Sequence, residues 1–243
     1  YRIPRVPQVP VTKVTTNLGA IGYFVDGVAM FDMRDSFSYS TADGQDATPV
    51  NGLSGNGIWN RNAYVNEGMT FDAALAHQAG VLYHYHAQPV ALRYLLGDHV
   101  AYNATNNIYT EQAGTADHSP ILGWAADGFP IYGPYGYSTP TNPASSVTRM
   151  RSGFQVRNGT NSTVDLRVTG RTNLPTWAAA VQGRSATLIA SEFGPAVSTS
   201  YILGHYLEDF SFLGDHGLTQ GVDFDLDVHN GRTCVTPEFP EGT

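Results

Sequence analysis

The chain has 243 residues, of which 42% are hydrophobic and only 14% charged, well under the roughly 25% charge of average soluble domains. A formal net charge of −8, with Lys13 the sole lysine, argues against a surface built to bind nucleic-acid phosphates, and no apolar run approaches the ~20 residues of a membrane span. Abundant Gly (26), Tyr (14) and Phe (11) point instead to a β-rich protein with many turns.

Along the chain, residues 1–18 carry Pro4, Pro7 and Pro10 and read as an extended arm, because proline fixes φ and lacks a donor. Such an arm suits packing on a sheet edge or self-association with another copy of the chain. From Gly19 to Asp35, two short apolar strands flank Asp26-Gly27, a hairpin dipeptide, and residues 40–57 form a polar loop. The stretch "NEGMTFDAALAHQAG" predicts a short helix capped by Thr70, with Phe71, Ala74 and Leu75 on one face and Gly80 as its stop. A strand, "GVLYHYHAQP", follows. "HSPILGWAADGFPIYGPYGYST" then reads as strand, Asp127-Gly128 turn and strand. Residues 138–163 are rich in Ser, Thr, Asn and Pro and read as a surface loop or insertion. "TVDLRVTGR" alternates like a strand, "LPTWAAAVQGR" holds a helical turn, and "TSYILGHYLEDFSF" and "GVDFDLDVHNGRT" close the chain as strands and a turn. The expectation is a mainly β protein. It would be a single antiparallel β-rich domain over residues 19–243, sandwich or barrel-like, with long loop insertions and one or two short helices.

Signs of a secreted protein accompany this pattern. The chain opens "YRIPRVPQVP", as a processed mature chain would, and carries three glycosylation acceptors: Asn103, Asn158 and Asn161. Cys234 stands alone, so no internal disulfide can form.

The histidines carry the chemistry. In a strand, successive side chains point to opposite faces, so His84 and His86 share one face and Tyr83 and Tyr85 the other. Two imidazoles on one strand face have their Cα atoms about 6.5–7 Å apart and reach a common ion at about 2.0–2.1 Å. A third ligand must come from elsewhere. His118, opening the next strand, is the first choice and His77 the second, with His205 and His229 further off and His99 and His216 reading as loop histidines. An all-imidazole set suits copper or zinc, whereas calcium prefers oxygens. The bland alternative is two half-buried imidazoles bonded to carbonyls or carboxylates. Tyr83 and Tyr85 either pack in the core or donate hydrogen bonds to a ligand. Asp127 is either a turn residue, an outer partner that orients an imidazole, or a general base. Asp223, Asp225 and Asp227 lack EF-hand spacing and read as a solvated strand face. Arg232, beside the Asn230-Gly231 turn, reads as one half of a structural ion pair or a contact for an anionic substrate. No nucleophile elbow, phosphate loop, dinucleotide fingerprint or C-x-x-C is present.

Three segments, "YHYHAQP" (83–89), "HSPILGWAADGFPIYGPYGY" (118–137) and "LDVHNGRTCVTPEFPEGT" (226–243), together resemble the YHYH domain family. The resemblance implies secretion and a histidine-rich site, with no settled reaction. "FDAALAH" is similar to that family's Asp-x-Cys-x-Gly-His element, which adds Asp72 and a second argument for His77. Ala74 and His229 stand where relatives often carry cysteines. The functional expectation is a secreted domain holding copper or zinc. One rival is an enzyme, a metal-dependent hydrolase or copper oxidase acting on an extracellular substrate such as polysaccharide, with Trp124, Tyr132 and Tyr135 as cleft walls. The other is an extracellular assembly or adhesion subunit in which the histidines are structural.

Overall fold

The hairpin expected around Asp26-Gly27 is the first regular element of the computed structural model, which describes residues 2–113 and 117–242. Strands β1 (Ala20–Phe24) and β2 (Ala29–Phe31) pair antiparallel. The Val28 N–H donates to Asp26 Oδ1 at 3.0 Å, and Gly27 takes a positive φ of 85° that a side chain would resist. Next come β3 (Arg34–Ser40), β4 (Gln45–Asp46), β5 (Asn60–Asn62) and a one-turn helix α1 (Ala63–Asn66). They are followed by β6 (Ala76–Ala79), β7 (Leu82–Tyr85), α2 (Val90–Leu95), β8 (Val100–Asn103) and β9 (Ile108–Glu111). Then come β10 (Ile121–Ala125), β11 (Pro130–Tyr132), β12 (Tyr135–Tyr137), β13 (Val147–Arg149) and β14 (Phe154–Val156). Helices α3 (Leu166–Thr169) and α4 (Thr176–Gln182) and strand β15 (Phe210–Phe212) complete the set. The protein is mainly β, as its composition predicts. The strands form several small sheets, with no closed barrel among the described residues.

The chain divides into two compact units of interleaved segments. One comprises residues 1–32, 68–150 and 232–243. Its main sheet has the order β11-β10-β1-β2-β7-β6. Every pairing in that sheet is antiparallel except β2 with β7, which run parallel. Phe24, Ala76, Tyr85, Leu92 and Leu122 form its core, Phe24, Leu92 and Leu122 each contributing roughly 1.5–3 kcal/mol when fully buried. The strands approach closely at Gly22, where a Cβ would lie 2.8 Å from the Trp124 carbonyl oxygen. On α2, Arg93 is fully buried and bonded to Asp98 at 2.6 Å, Gln88 at 2.7 Å and Glu111 at 3.0 Å.

The other unit comprises residues 33–67 and 151–231. It packs Tyr39, Ile58, Trp59, Leu174, Leu188 and Tyr206 around α4, and the Trp59 indole donates to the Glu192 carbonyl at 3.0 Å. An inaccessible ion pair, Arg171 Nε to Asp209 Oδ1 at 2.7 Å, holds its segments together. Gly183, in the left-handed conformation, ends α4 where the sequence places a helical turn.

Some expectations fail for local reasons. Residues 70–80 are not a helix. After a short 3-10 turn the Asp72 carboxylate takes the N–H groups of Ala74 and Ala76, Leu75 adopts a positive φ of 68°, and Ala76 begins a strand. The alternation in "TVDLRVTGR" yields helix α3 instead of a strand, because Asp165 accepts from the Arg167 N–H at 3.0 Å and caps it. "GVDFDLDVHNGRT" forms turns, since Asp223 takes the Thr219 N–H and Asp227 those of His229 and Gly231. The loop expected over 138–163 contains the short strands β13 and β14.

Candidate metal centre

Strands β6 and β7 form a hairpin whose two-residue loop is Gly80-Val81, with Gly80 at φ 60°. That loop fixes the register: Ala79 faces Leu82, Gln78 faces Tyr83, His77 faces His84 and Ala76 faces Tyr85. Directly opposed residues project to the same side of a sheet with Cβ atoms about 4.5–5.5 Å apart, so His77 and His84 are neighbours by construction. His86 follows two residues on and joins them on that face. The result is a cluster of His77, His84 and His86 in which one ligand nitrogen of each ring lies within 4.8 Å of the others. His84 is 1% exposed and His86 7%.

Two phenylalanines wall the cluster. Phe31, from the neighbouring β2, stacks on His84 with centroids 3.9 Å apart and meets His86 edge-on at 5.9 Å. Phe71 meets His77 edge-on at 4.9 Å and lies parallel to His86 at 6.4 Å. Excluding water strengthens any charge interaction within the cluster.

Each ring is oriented through Nδ1. His84 Nδ1 lies 3.1 Å from the Leu82 carbonyl oxygen, and His86 Nδ1 lies 2.6 Å from that of Asp32. His77 Nδ1 meets the Thr70 hydroxyl at 2.7 Å. A carbonyl oxygen only accepts, so Nδ1 of His84 and His86 carries the proton and, in a neutral ring, Nε2 offers a lone pair. Those two Nε2 atoms face each other at 2.9 Å. Lone pairs at that separation repel unless a cation is shared between them, either a proton on one ring or a metal ion. With metal–nitrogen bonds of about 2.0–2.1 Å, two ligands 90–110° apart stand roughly 2.9–3.4 Å from each other. Backbone oxygens on the remote nitrogen are the usual outer partners that hold a histidine ligand in one tautomer.

The opposite face of β7 is packing. Tyr85 is 3% exposed and meets Phe24 edge-to-face at 5.3 Å, and the Tyr83 hydroxyl donates to Asp72 at 2.6 Å. Burial, then the charges of Asp26 and Asp72, push the Tyr85 phenol up to about 12. Burial and the Asp72 bond likewise raise Tyr83, so both phenols stay protonated at neutral pH. Asp72 is thus a turn clamp that also ties down Tyr83, and Asp127 sits in its hairpin turn with Phe129 N–H at 3.5 Å.

His118 lies outside the cluster: its Nδ1 donates to the Ser119 carbonyl at 2.7 Å and its ring sits between Tyr132 and Tyr137. His205 bonds Asp46 at 2.7 Å, His99 bonds Asp98 at 3.1 Å, and His229 is exposed. Of the three proposed cleft walls, Tyr135 is buried against His99, Tyr132 flanks His118, and Trp124 meets Phe239. Sequence reasoning gives Thr70 and Phe71 helix roles, because the helix expected over 70–80 hides the hairpin, and it misses Phe31 and the Asp32 carbonyl, which arrive through the non-local pairing of β2 with β7. The available signal was Gly80: a two-residue loop at Gly80-Val81 pairs residue 77 with residue 84.

Fold and cluster together define a mainly β protein with three imidazoles gathered on one sheet face. The chain belongs to the YHYH family, whose model, described as "YHYH protein", matches residues 1–243. No curated protein and no solved structure matches it.

Proposed function

We propose that the protein is an extracellular metal-binding domain holding copper or zinc on His77, His84 and His86. The observation that carries this reading is the pair of Nε2 atoms 2.9 Å apart in rings whose Nδ1 protons are committed to carbonyl oxygens. Three imidazoles beside a phenylalanine wall form a donor set suited to these ions and unsuited to calcium. When bound, such an ion supplies Lewis acidity or, as copper, redox chemistry. The chain's own part is to hold three nitrogens together, two of them in rings whose tautomer a carbonyl oxygen sets. The sequons support an extracellular setting, Asn103 and Asn161 both being exposed. The test is metal uptake by the chelator-stripped chain. One equivalent of Zn²⁺ or Cu²⁺ should bind to the native sequence and none to a His84→Ala/His86→Ala double variant. Equal uptake by the two proteins would overturn the assignment.

A second reading, self-association, rests on a different observation. Val6, Val9, Val11 and Val14 are 70% or more exposed on an arm without strands or helices over residues 2–18. Exposed apolar side chains on an extended segment suit burial against another copy of the chain. Sedimentation of the full chain beside one lacking residues 1–18 tests this: assemblies that persist without the arm would refute it.

A further inference from the structure

Outside the three-imidazole cluster, a second pair of functional groups converges on Gly136 in β12. A Cβ built there would lie 2.8 Å from Arg232 Nη2 and 3.5 Å from His118 Nε2, with Met150 Sδ at 3.6 Å. Only a glycine leaves that space to the two side chains. Arg61, Arg93, Arg151, Arg167 and Arg171 each meet a carboxylate. Arg232 meets none among the described residues. It is half-buried, and its Nη2 donates to the Tyr137 carbonyl at 2.7 Å. The bond fixes the guanidinium plane and leaves its other N–H donors for a ligand.

His118 is fixed too. Its Nδ1 proton goes to the Ser119 carbonyl at 2.7 Å, so in the neutral ring Nε2 is an acceptor. The rings of Tyr132 and Tyr137 flank it at 5.3 and 4.9 Å. Tyr132 is itself held through its hydroxyl by Thr236 at 2.8 Å and Glu238 at 3.0 Å.

We propose that Arg232 and His118 form a binding site for a 2-hydroxycarboxylate. The guanidinium takes the carboxylate through charge-assisted bonds, and His118 Nε2 accepts the proton of the hydroxyl on the neighbouring carbon. A simple carboxylate lacks the second bond and a neutral sugar lacks the first. Free small hydroxy acids and aldonic acids derived from saccharides share this chemistry.

The full-length chain is titrated by calorimetry with glycolate, gluconate, acetate and glucose. Glycolate and gluconate should bind, acetate should bind several-fold more weakly, and glucose should not bind. Gluconate binding more tightly than glycolate identifies the sugar-derived acids as the source, and the reverse identifies small free acids. Arg232→Gln should weaken binding by roughly tenfold or more, as expected for loss of a charged hydrogen-bond partner. Gly136→Ala is the second variant, because its methyl displaces the guanidinium while both side chains remain. It should weaken binding with an unchanged melting temperature. Absence of glycolate and gluconate binding, equal affinity for glycolate and acetate, or undiminished binding in both variants would overturn the proposal.

Discussion

Replacing Asp72 with alanine tests how the hairpin that carries His77 is held. The carboxylate makes three bonds: 2.8 Å to Ala74 N–H, 3.2 Å to Ala76 N–H and 2.6 Å from the Tyr83 hydroxyl. Exposed hydrogen bonds contribute at the low end of the usual range, about 0.5–1 kcal/mol each, so the three together amount to roughly 1.5–3 kcal/mol. For a chain of this size that corresponds to a fall of about 4–10 °C in melting temperature. The loss is also local. Without the clamp, β6 frays at the edge of its sheet, and His77, five residues downstream, loses its fixed place opposite His84. Scanning calorimetry and Zn²⁺ titration of Asp72→Ala and Asp72→Asn provide the assay. Alanine should lower both the melting temperature and the zinc affinity, and asparagine, which keeps an acceptor for the two N–H groups, should recover most of both. An alanine variant as stable as the parent, or an asparagine variant no better than alanine, would refute the clamp.

The hairpin loop provides a companion test. Gly80→Val places a β-branched residue at φ 60° and should destabilise the protein by about 1–2 kcal/mol in urea titration, with a drop in metal affinity that Val81→Thr does not share. In the second unit, full burial pushes the Glu208 carboxyl up to about 7, against hydrogen bonds from Asn60 that oppose the shift. A carboxyl raised above its unfolded value of 4.5 binds more protons in the native state, so its stabilising contribution is complete below about pH 4.5 and lost as pH rises through 7. Between pH 5 and 8 the parent should therefore lose stability relative to Glu208→Gln, measured as the difference in urea midpoints, and a difference independent of pH would contradict the burial argument.

Much of this was legible in the sequence where short-range rules act alone. Asp26-Gly27 and Asp127-Gly128 declare their hairpins because the turn residues meet their requirements locally. The partition of His84 and His86 from Tyr83 and Tyr85 follows from the strand period and nothing else. The third imidazole was harder. "FDAALAH" contains good helix formers, yet Asp72 competes for its backbone N–H groups and Ala76 enters the unit's core as strand. Once a helix is assumed, His77 loses its cross-strand relation to His84, and His118 becomes the natural third partner. The structure turns the His118 ring elsewhere through the Ser119 carbonyl. The parallel pairing of β2 with β7, which brings Phe31 onto His84, joins segments more than fifty residues apart and leaves no local trace.

The most direct measurement is X-ray absorption at the metal edge of the Zn²⁺- or Cu²⁺-loaded chain, which counts imidazole nitrogens and their distances. Three histidine nitrogens at about 2.0 Å, falling to two in His77→Ala, are the expected result. A shell of oxygens, or a count unchanged when His77 is removed, would show that the ion binds elsewhere and that the three rings are packing alone.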